Sequence, residues 1–258
     1  MKNAGLTNRC SPRRASLQLA ILLSILPAAC SFAGVRHFTF LYEAPTSAPG
    51  SVELENTVTW AHHGDSNDIR FREELEIGIT DRLQLGLYPL DWDHHSDADR
   101  SGFGYDGGAV EFIYNLSNPV IDPIGISLYQ EIAGGHRHFE SESKLIAQKD
   151  LGRWILDYNA TLEAEWESKG LEEQTGEFQQ AIGASYEISP RFSVGMEMLH
   201  EFVFEDWNDR QKIRNVFIGP NASYRRQQWF VTVTALAQAT DTSDEPDFQL
   251  RTIFGFGF

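Results

Sequence analysis

The chain has 258 residues, with 37 Asp and Glu against 21 Lys and Arg and a formal charge of −16 at pH 7. That balance excludes a nucleic-acid binder, which needs a basic footprint. Past residue 33 no apolar run approaches the roughly 18 residues of a membrane-spanning helix, so a helical membrane protein is excluded too.

Lys2, Arg9, Arg13 and Arg14 precede an apolar run from Leu17 to Leu26 and then small residues, the layout of a secretory signal. We take residues 1–33 as a signal peptide cut after Ala33, with Ser31 and Ala33 as the small pair. Cleavage after Ala29 and lipidation of Cys30 are the alternatives, and Pro27 suits neither. Cleavage after Ala33 removes Cys10 and Cys30, the only cysteines, and with them any disulfide, thiolate metal site or Cys nucleophile. No acid precedes Glu43, so the mature chain is more acidic still, at −20.

Residues 34–50, with Ala44, Pro45, Ala48, Pro49 and Gly50, read as an irregular entry segment. From Ser51 onward the pattern has period two, the signature of strands with one apolar face. Ser51 to His62 sets Val52, Leu54, Val58 and Trp60 against Glu53, Glu55, Thr57 and Thr59. Asp68 to Thr80 sets Ile69, Phe71, Leu75, Ile77 and Ile79 against Arg70, Arg72, Glu74, Glu76 and Gly78, and a third strand follows the Thr80-Asp81-Arg82 corner with Leu83, Leu85 and Leu87 outward. Asp91 to Tyr105 reads as the longest loop. Strands are then expected at Asp106 to Leu116, Ile124 to Ala133 and, less sharply patterned, Phe139 to Lys149. The clearest is the seventh, where Trp154, Leu156, Tyr158, Ala160, Leu162, Ala164 and Trp166 alternate with Asp157, Asn159, Thr161, Glu163 and Glu165. Four more span Thr175 to Ile188, Phe192 to Met198, Lys212 to Arg225 and Gln228 to Thr240, the third of these containing Pro220. The twelfth, Pro246 to Phe258, puts Phe248, Leu250, Thr252, Phe254, Phe256 and Phe258 on one face.

Most of these segments exceed the five or six residues usual in soluble sheets and match the roughly 9–11 of a tilted membrane strand. An aromatic strand at the chain end would be an aggregation-prone edge in a soluble β-sandwich, the competing fold, whereas a closed barrel in lipid has no edge. Tight corners at Thr80 to Arg82, Asp150 to Arg153, Ser189 to Arg191 and Arg225 to Gln227 alternate with longer, charged connections: Asp91 to Tyr105, Gly134 to Glu142, Ser168 to Gln174, Glu205 to Gln211 and Asp241 to Asp247. We therefore predict an all-β, transmembrane, antiparallel up-and-down barrel of about 12 strands over residues 51–258. Trp60, Tyr114, Trp154, Trp166, Tyr186, Phe192, Tyr224 and Trp229 are expected to form two interfacial girdles. Localisation in the outer membrane of a Gram-negative bacterium follows, with outer-membrane lipid as surroundings. A strand ending in Phe258 resembles the C-terminal signal that the barrel-assembly machinery reads, which would make that machinery a partner.

The inward parity is rich in ionisable groups, which are costly to bury unless paired and at ease in a wet lumen. Glu53, Glu55, Arg70, Arg72, Glu74, Glu76, Glu111, Glu163, Glu165 and Arg251 are the candidate lumen-lining residues. Arg70 and Arg72 are expected to join Glu53, Glu55, Glu74 and Glu76 in a cross-strand ion network, and Arg251 to face Glu53 or Glu55 where the last strand meets the first. A conduit for cations or polar solutes competes with a self-neutralised, plugged interior. The histidines of Asp91 to Asp99 and of Gly135-His136-Arg137-His138 match no specific metal motif, so no metal and no cofactor is assigned. His95-Ser96 and His138 with Ser141 supply hydrolase residue types, yet no Gly-x-Ser-x-Gly elbow or spaced triad is present, and no catalysis is expected.

Tyr42-Glu43-Ala44-Pro45, Pro49-Gly50 before Glu53-Leu54-Glu55, and Glu74-Leu75-Glu76-Ile77-Gly78-Ile79-Thr80-Asp81-Arg82-Leu83-Gln84-Leu85 resemble the outer-membrane protein family named for the meta-cleavage pathway of phenol degradation. The resemblance implies a barrel passing small hydrophobic or aromatic compounds and brings no catalytic residues with it; the acidic lumen fits such solutes poorly. The expected function is a channel or transporter-like barrel for an unknown small solute. Its alternatives are a closed-lumen structural or surface-interaction barrel and a rim-site lipid hydrolase.

Overall fold

The structure, a computed structural model, describes residues 34, 36–97, 101–168, 170–204, 213–243 and 245–258. The predicted signal peptide and the whole Glu205 to Gln211 connection lie outside the described residues. Twelve strands, β1 (Val52–His63), β2 (Ser66–Thr80), β3 (Leu83–Ser96), β4 (Ser101–Ser117), β5 (Gly125–Gly135), β6 (His138–Leu151), β7 (Trp154–Glu167), β8 (Glu173–Ser189), β9 (Phe192–Phe204), β10 (Ile213–Arg225), β11 (Trp229–Gln238) and β12 (Phe248–Gly257), pair in chain order. β12 returns to β1 and closes the barrel. The strands run from 10 to 17 residues. Their parity is the predicted one: in β4, Val110, Phe112, Tyr114 and Leu116 are exposed outward while Ala109, Glu111 and Ile113 are buried inward. Closure satisfies every ladder within the ring, which is what lets an all-β chain cross lipid.

Two aromatic bands flank the outward apolar face. Trp154 packs on Tyr186 and Tyr224 on Trp229 near one end, with ring centroids 5.0 and 5.6 Å apart. Trp60 meets Phe248 and Phe139 meets Trp166 near the other, at 5.8 and 5.5 Å. From Trp154 to Trp166, a strand rising roughly 3.3 Å per residue at a tilt of roughly 40° climbs roughly 30 Å, the thickness of a hydrocarbon core.

Three expectations are corrected. The Asp91 to Tyr105 loop is mostly strand: β3 and β4 pair out to Ser96 and Ser101, after a register shift between Tyr88 and Asp91. The Gly134 to Glu142 connection shrinks to a turn between Gly135 and His138, with Arg137 at a φ of 64°. The difference in loop length between the two ends is therefore smaller than predicted. Pro220 stands within β10, where β9 pairs with it through Met196; the paired residues of β10 and β11 skip Gly219 and Pro220, as a missing N–H requires.

The third correction concerns Arg251. β12 does close on β1, with Phe258 N donating to Val52 O at 3.0 Å, but Arg251 pairs with Thr59, and Glu53 and Glu55 face Gly257 and Gly255. Arg251 Nε donates to Thr59 Oγ1 at 2.9 Å and the guanidinium lies 3.8 Å from the Phe40 ring centroid. Arg251→Ala should accordingly leave the seam intact, because ten residue pairs hold β1 to β12. The heat-resistant folded band on a gel should stay within a few degrees of wild type; loss of that band would restore the salt-bridged seam.

Candidate functional site

The entry segment lies inside the barrel rather than before it. It enters and leaves at the end carrying the tight Thr80–Leu83 turn, here the short-turn end. Gly34 N donates to Glu53 Oε2 at 2.6 Å, and Gly50 N to Gly78 O at 2.8 Å. Phe38, Phe40 and Leu41 have no water-facing position in such a loop, and they bury against inward residues Ile155, Ala181, Leu199, Phe217 and Leu236. Ala44 packs with Ile113, Tyr129 and Ile146. The wall makes room with glycine: a Cβ on Gly183 would sit 2.6 Å from Phe38, and one on Gly78 2.0 Å from the Ala48 carbonyl.

Polar wall side chains take up the loop's backbone groups. The Glu197 carboxylate accepts from Thr39 N at 3.0 Å, Phe40 N at 2.7 Å, Asn221 Nδ2 at 2.8 Å and Thr234 Oγ1 at 2.5 Å. Asn159 brackets Tyr42, accepting from its N–H and donating to its carbonyl at 2.7 and 3.0 Å. Gln148 accepts from Ala44 N, and Asn115 and Ser127 donate to Ala44 O. His37 is held by Glu43, with Nδ1 2.6 Å from Oε1. Burial pulls the pKa of this imidazole down, but the charge and hydrogen bond of Glu43 outweigh it, and the value lies above the ordinary one.

The predicted ion network is rearranged. Strand register sets Glu53 against Glu76 and Glu55 against Glu74, like charge opposite like, an arrangement that is destabilising unless compensated. The compensating cation is Arg36 of the loop, its Nη2 2.9 Å from Glu55 and 3.9 Å from Glu74. Arg70 instead clamps Asp91 through two hydrogen bonds of 3.1 and 3.0 Å. Arg72 reaches Asp91 at 2.9 Å and Glu131 at 2.7 Å while stacking on Tyr88. Asp91 was read as a loop residue; the bulge in β3 turns it inward. Glu111 is buried, accepting from Tyr88 Oη at 2.6 Å and Tyr42 Oη at 3.1 Å. Lys144 lies 4.3 Å from the Tyr42 ring centroid and 4.4 Å from that of Tyr129.

The loop divides the lumen into two spaces. A cavity of about 360 Å³ at the short-turn end is lined by Glu53, Glu76, Gln84, Asp150 and Glu187 among others. A larger one, about 670 Å³, occupies the opposite half and is lined by twelve Asp and Glu and five Lys and Arg. Arg36, Tyr42 and Glu55 line both, so the narrowing between them is built where loop meets wall. The charges of the larger cavity are unevenly spread. Seven acids, Glu140 and Glu142 of β6, Glu163, Glu165 and Glu167 of β7, Glu177 of β8 and Glu201 of β9, form one wall with Lys144; Arg70 and Arg72 of β2 and Arg251 of β12 stand on the other, among Glu55, Asp68, Glu74, Asp93 and Asp106. The predicted lumen residues thus all face the interior, in two groups: Glu53, Glu55, Glu74, Glu76 and Glu111 around the loop, and Glu163, Glu165, Arg70, Arg72 and Arg251 beyond it. Phe258 is half exposed at the short-turn end.

No curated protein matches the sequence. Among solved structures the barrel is similar to the COG4313 outer membrane channel from Pseudomonas putida F1, with a TM-score of 0.61 at 12% identity, covering 86% of this chain and 100% of that one. It is also similar to the NanC porin (TM-score 0.52, 9% identity, 80% and 98% covered) and to the β domain of the Bordetella autotransporter BrkA (0.51, 10%, 81% and 99%). At such identities the likeness is one of fold, and this fold carries more than one function. Residues 30–249 match the model of a family of unknown function, DUF6662, and the chain belongs to that family.

Proposed function

We propose that the protein is an outer-membrane channel that passes small cationic solutes along the acidic wall of the larger cavity and past the lumenal loop. The observation that carries this reading is the pair of cavities, about 360 and 670 Å³, that share Arg36, Tyr42 and Glu55 in their lining. Twelve carboxylates against five cations make the larger one a cation reservoir, since low-dielectric walls focus the field of the charges between them. Two neighbours of the fold, the outer membrane channel and the porin, support the class of function and the membrane. Passage of aromatic compounds, the finer reading implied by the meta-cleavage resemblance, draws on Tyr42, Tyr88 and Tyr129. Arg36 and Lys144 lie over Tyr42, Arg72 over Tyr88 and Lys144 over Tyr129, so an aromatic solute would have to displace a cation of the chain to stack on them. Catalysis draws no support from His138 and Ser141: His138 lines the lumen among carboxylates, whereas Ser141 is on the opposite face of β6, where its Oγ accepts from Gln130.

In planar bilayers under a KCl gradient the reversal potential should show cation preference. Replacing Glu142, Glu163 and Glu177 together by Gln, which leaves nine carboxylates against five cations, should move it measurably toward zero while conductance persists. Absence of any conductance, in wild type and in a chain lacking residues 34–44, would favour the closed-lumen structural barrel. That second reading draws on the many buried hydrogen bonds that hold the loop.

A further inference from the structure

We propose that the larger cavity holds a transition-metal dication, such as Zn²⁺, on His138, Glu165 and Glu167. One ligand atom from each residue lies within 4.8 Å of the others. His138 Nδ1 is 3.0 Å from Glu165 Oε1 and 3.8 Å from Glu167 Oε1, and Nε2 is 3.6 Å from Glu140 Oε2. Thr175 Oγ1 donates to the second oxygen of Glu165 at 3.2 Å, an outer contact of the kind that orients a ligating carboxylate. The residues are placed by register and a turn. His138 opens β6 directly after Arg137 with its positive φ and pairs with Glu167 at the end of β7; Glu140 pairs with Glu165 in the next inward row.

A second, independent observation asks for a cation here. Glu140 faces Glu165, Glu142 faces Glu163, and Glu163 faces Glu177, three like-charged pairs side by side. At β1 and β2 the same arrangement is offset in part from within by Arg36, which pairs with Glu55 and Glu74. Among the described residues of β6 to β8, the cationic partners are Lys144, which pairs with Glu142 at 2.9 Å, and His138 itself. Arg70 and Arg72 are engaged by Asp91 and Glu131, and Arg251 stands over Phe40. A dication among His138, Glu165 and Glu167 supplies the missing charge. One imidazole nitrogen with carboxylate oxygens selects Zn²⁺, Co²⁺ or Ni²⁺ over the all-oxygen preference of Ca²⁺ and Mg²⁺.

Isothermal titration of the detergent-solubilised barrel with ZnCl₂ tests this without reference to conductance, so its failure and that of the channel reading are separable. We expect one Zn²⁺ per barrel, at least about tenfold weaker binding in His138→Gln and in Glu167→Gln, no change in His136→Ala, and little competition from a large excess of Ca²⁺. Circular dichroism reports whether each variant keeps its barrel. A folded wild type that binds no Zn²⁺, equal affinity in folded His138→Gln, or loss confined to His95→Ala, the other carboxylate-flanked histidine, would each overturn the assignment.

Discussion

Glu197→Ala should release the lumenal loop. The carboxylate takes both Thr39 and Phe40 N–H groups inside the barrel, and buried donors left without an acceptor cost about 1–3 kcal/mol each. Two such donors, with Asn221 and Thr234 also losing their partner, put the loss at about 3 kcal/mol or more, roughly a hundredfold shift toward the undocked state. A thiol at position 39 reads this directly. The Thr39 hydroxyl is buried without a hydrogen-bond partner, so Thr39→Cys removes little, and a chain begun at residue 34 has no other cysteine. Maleimide labelling should be slow in Thr39→Cys alone, about a hundredfold faster with Glu197→Ala, and intermediate with Glu197→Gln, which keeps one acceptor oxygen. If the channel reading holds, single-channel conductance rises in the same order. Equal labelling rates in all three would mean that the apolar contacts of Phe38 and Leu41 hold the loop unaided.

The strands, their parity and the closure of β12 on β1 were legible because alternation over ten or more residues has one reading in a closed sheet. What escaped was whatever breaks alternation or acts at a distance. β3 was cut short because Pro89 and Asp91 look like loop residues, while the bulge they mark only reverses the parity and lets pairing continue. Arg251 was placed four or six residues from its true partner along β1, opposite Glu55 or Glu53 rather than Thr59, since chain ends fix which strands meet but not their stagger. The lumenal loop had a signal that went unused. Inward positions Ile113, Ile146, Ile155, Leu199, Phe217 and Leu236 are apolar, out of place in a polar lumen, and Phe38, Phe40 and Leu41 form an apolar run with no strand to carry it. Each set implies the other. The acidic wall was legible as residue types at inward parity; that β6 to β9 carry seven of the cavity's acids while the three arginines of β2 and β12 stand across from them required the strand order around the ring.

The β3 bulge leads to the second large effect. Regular alternation from Gln84, Gly86 and Tyr88 would have put Leu90 inside and Asp91 in lipid; the register shift reverses this, leaving Leu90 exposed and Asp91 buried. A bulge that re-aims one side chain is worth its irregularity only if that side chain is needed, and Asp91 is the carboxylate that Arg70 and Arg72 share. Arg72 is the more deeply placed of the two and the only one that also reaches Glu131, whose side chain is 3% exposed. Removing one partner of a buried ion pair leaves an uncompensated charge, at a cost of about 3–5 kcal/mol. Arg72→Met should therefore lower the unfolding free energy in urea by about that much, with Arg70→Met, whose side chain is half exposed, costing about 1 kcal/mol or less. Adding Glu131→Gln to Arg72→Met should recover a large part of the loss, because the stranded carboxylate is gone. A loss below about 1 kcal/mol in Arg72→Met, with no recovery in the double variant, would mean that lumenal water already solvates both carboxylates. The bulge would then serve the shape of the outer cavity rather than its electrostatics.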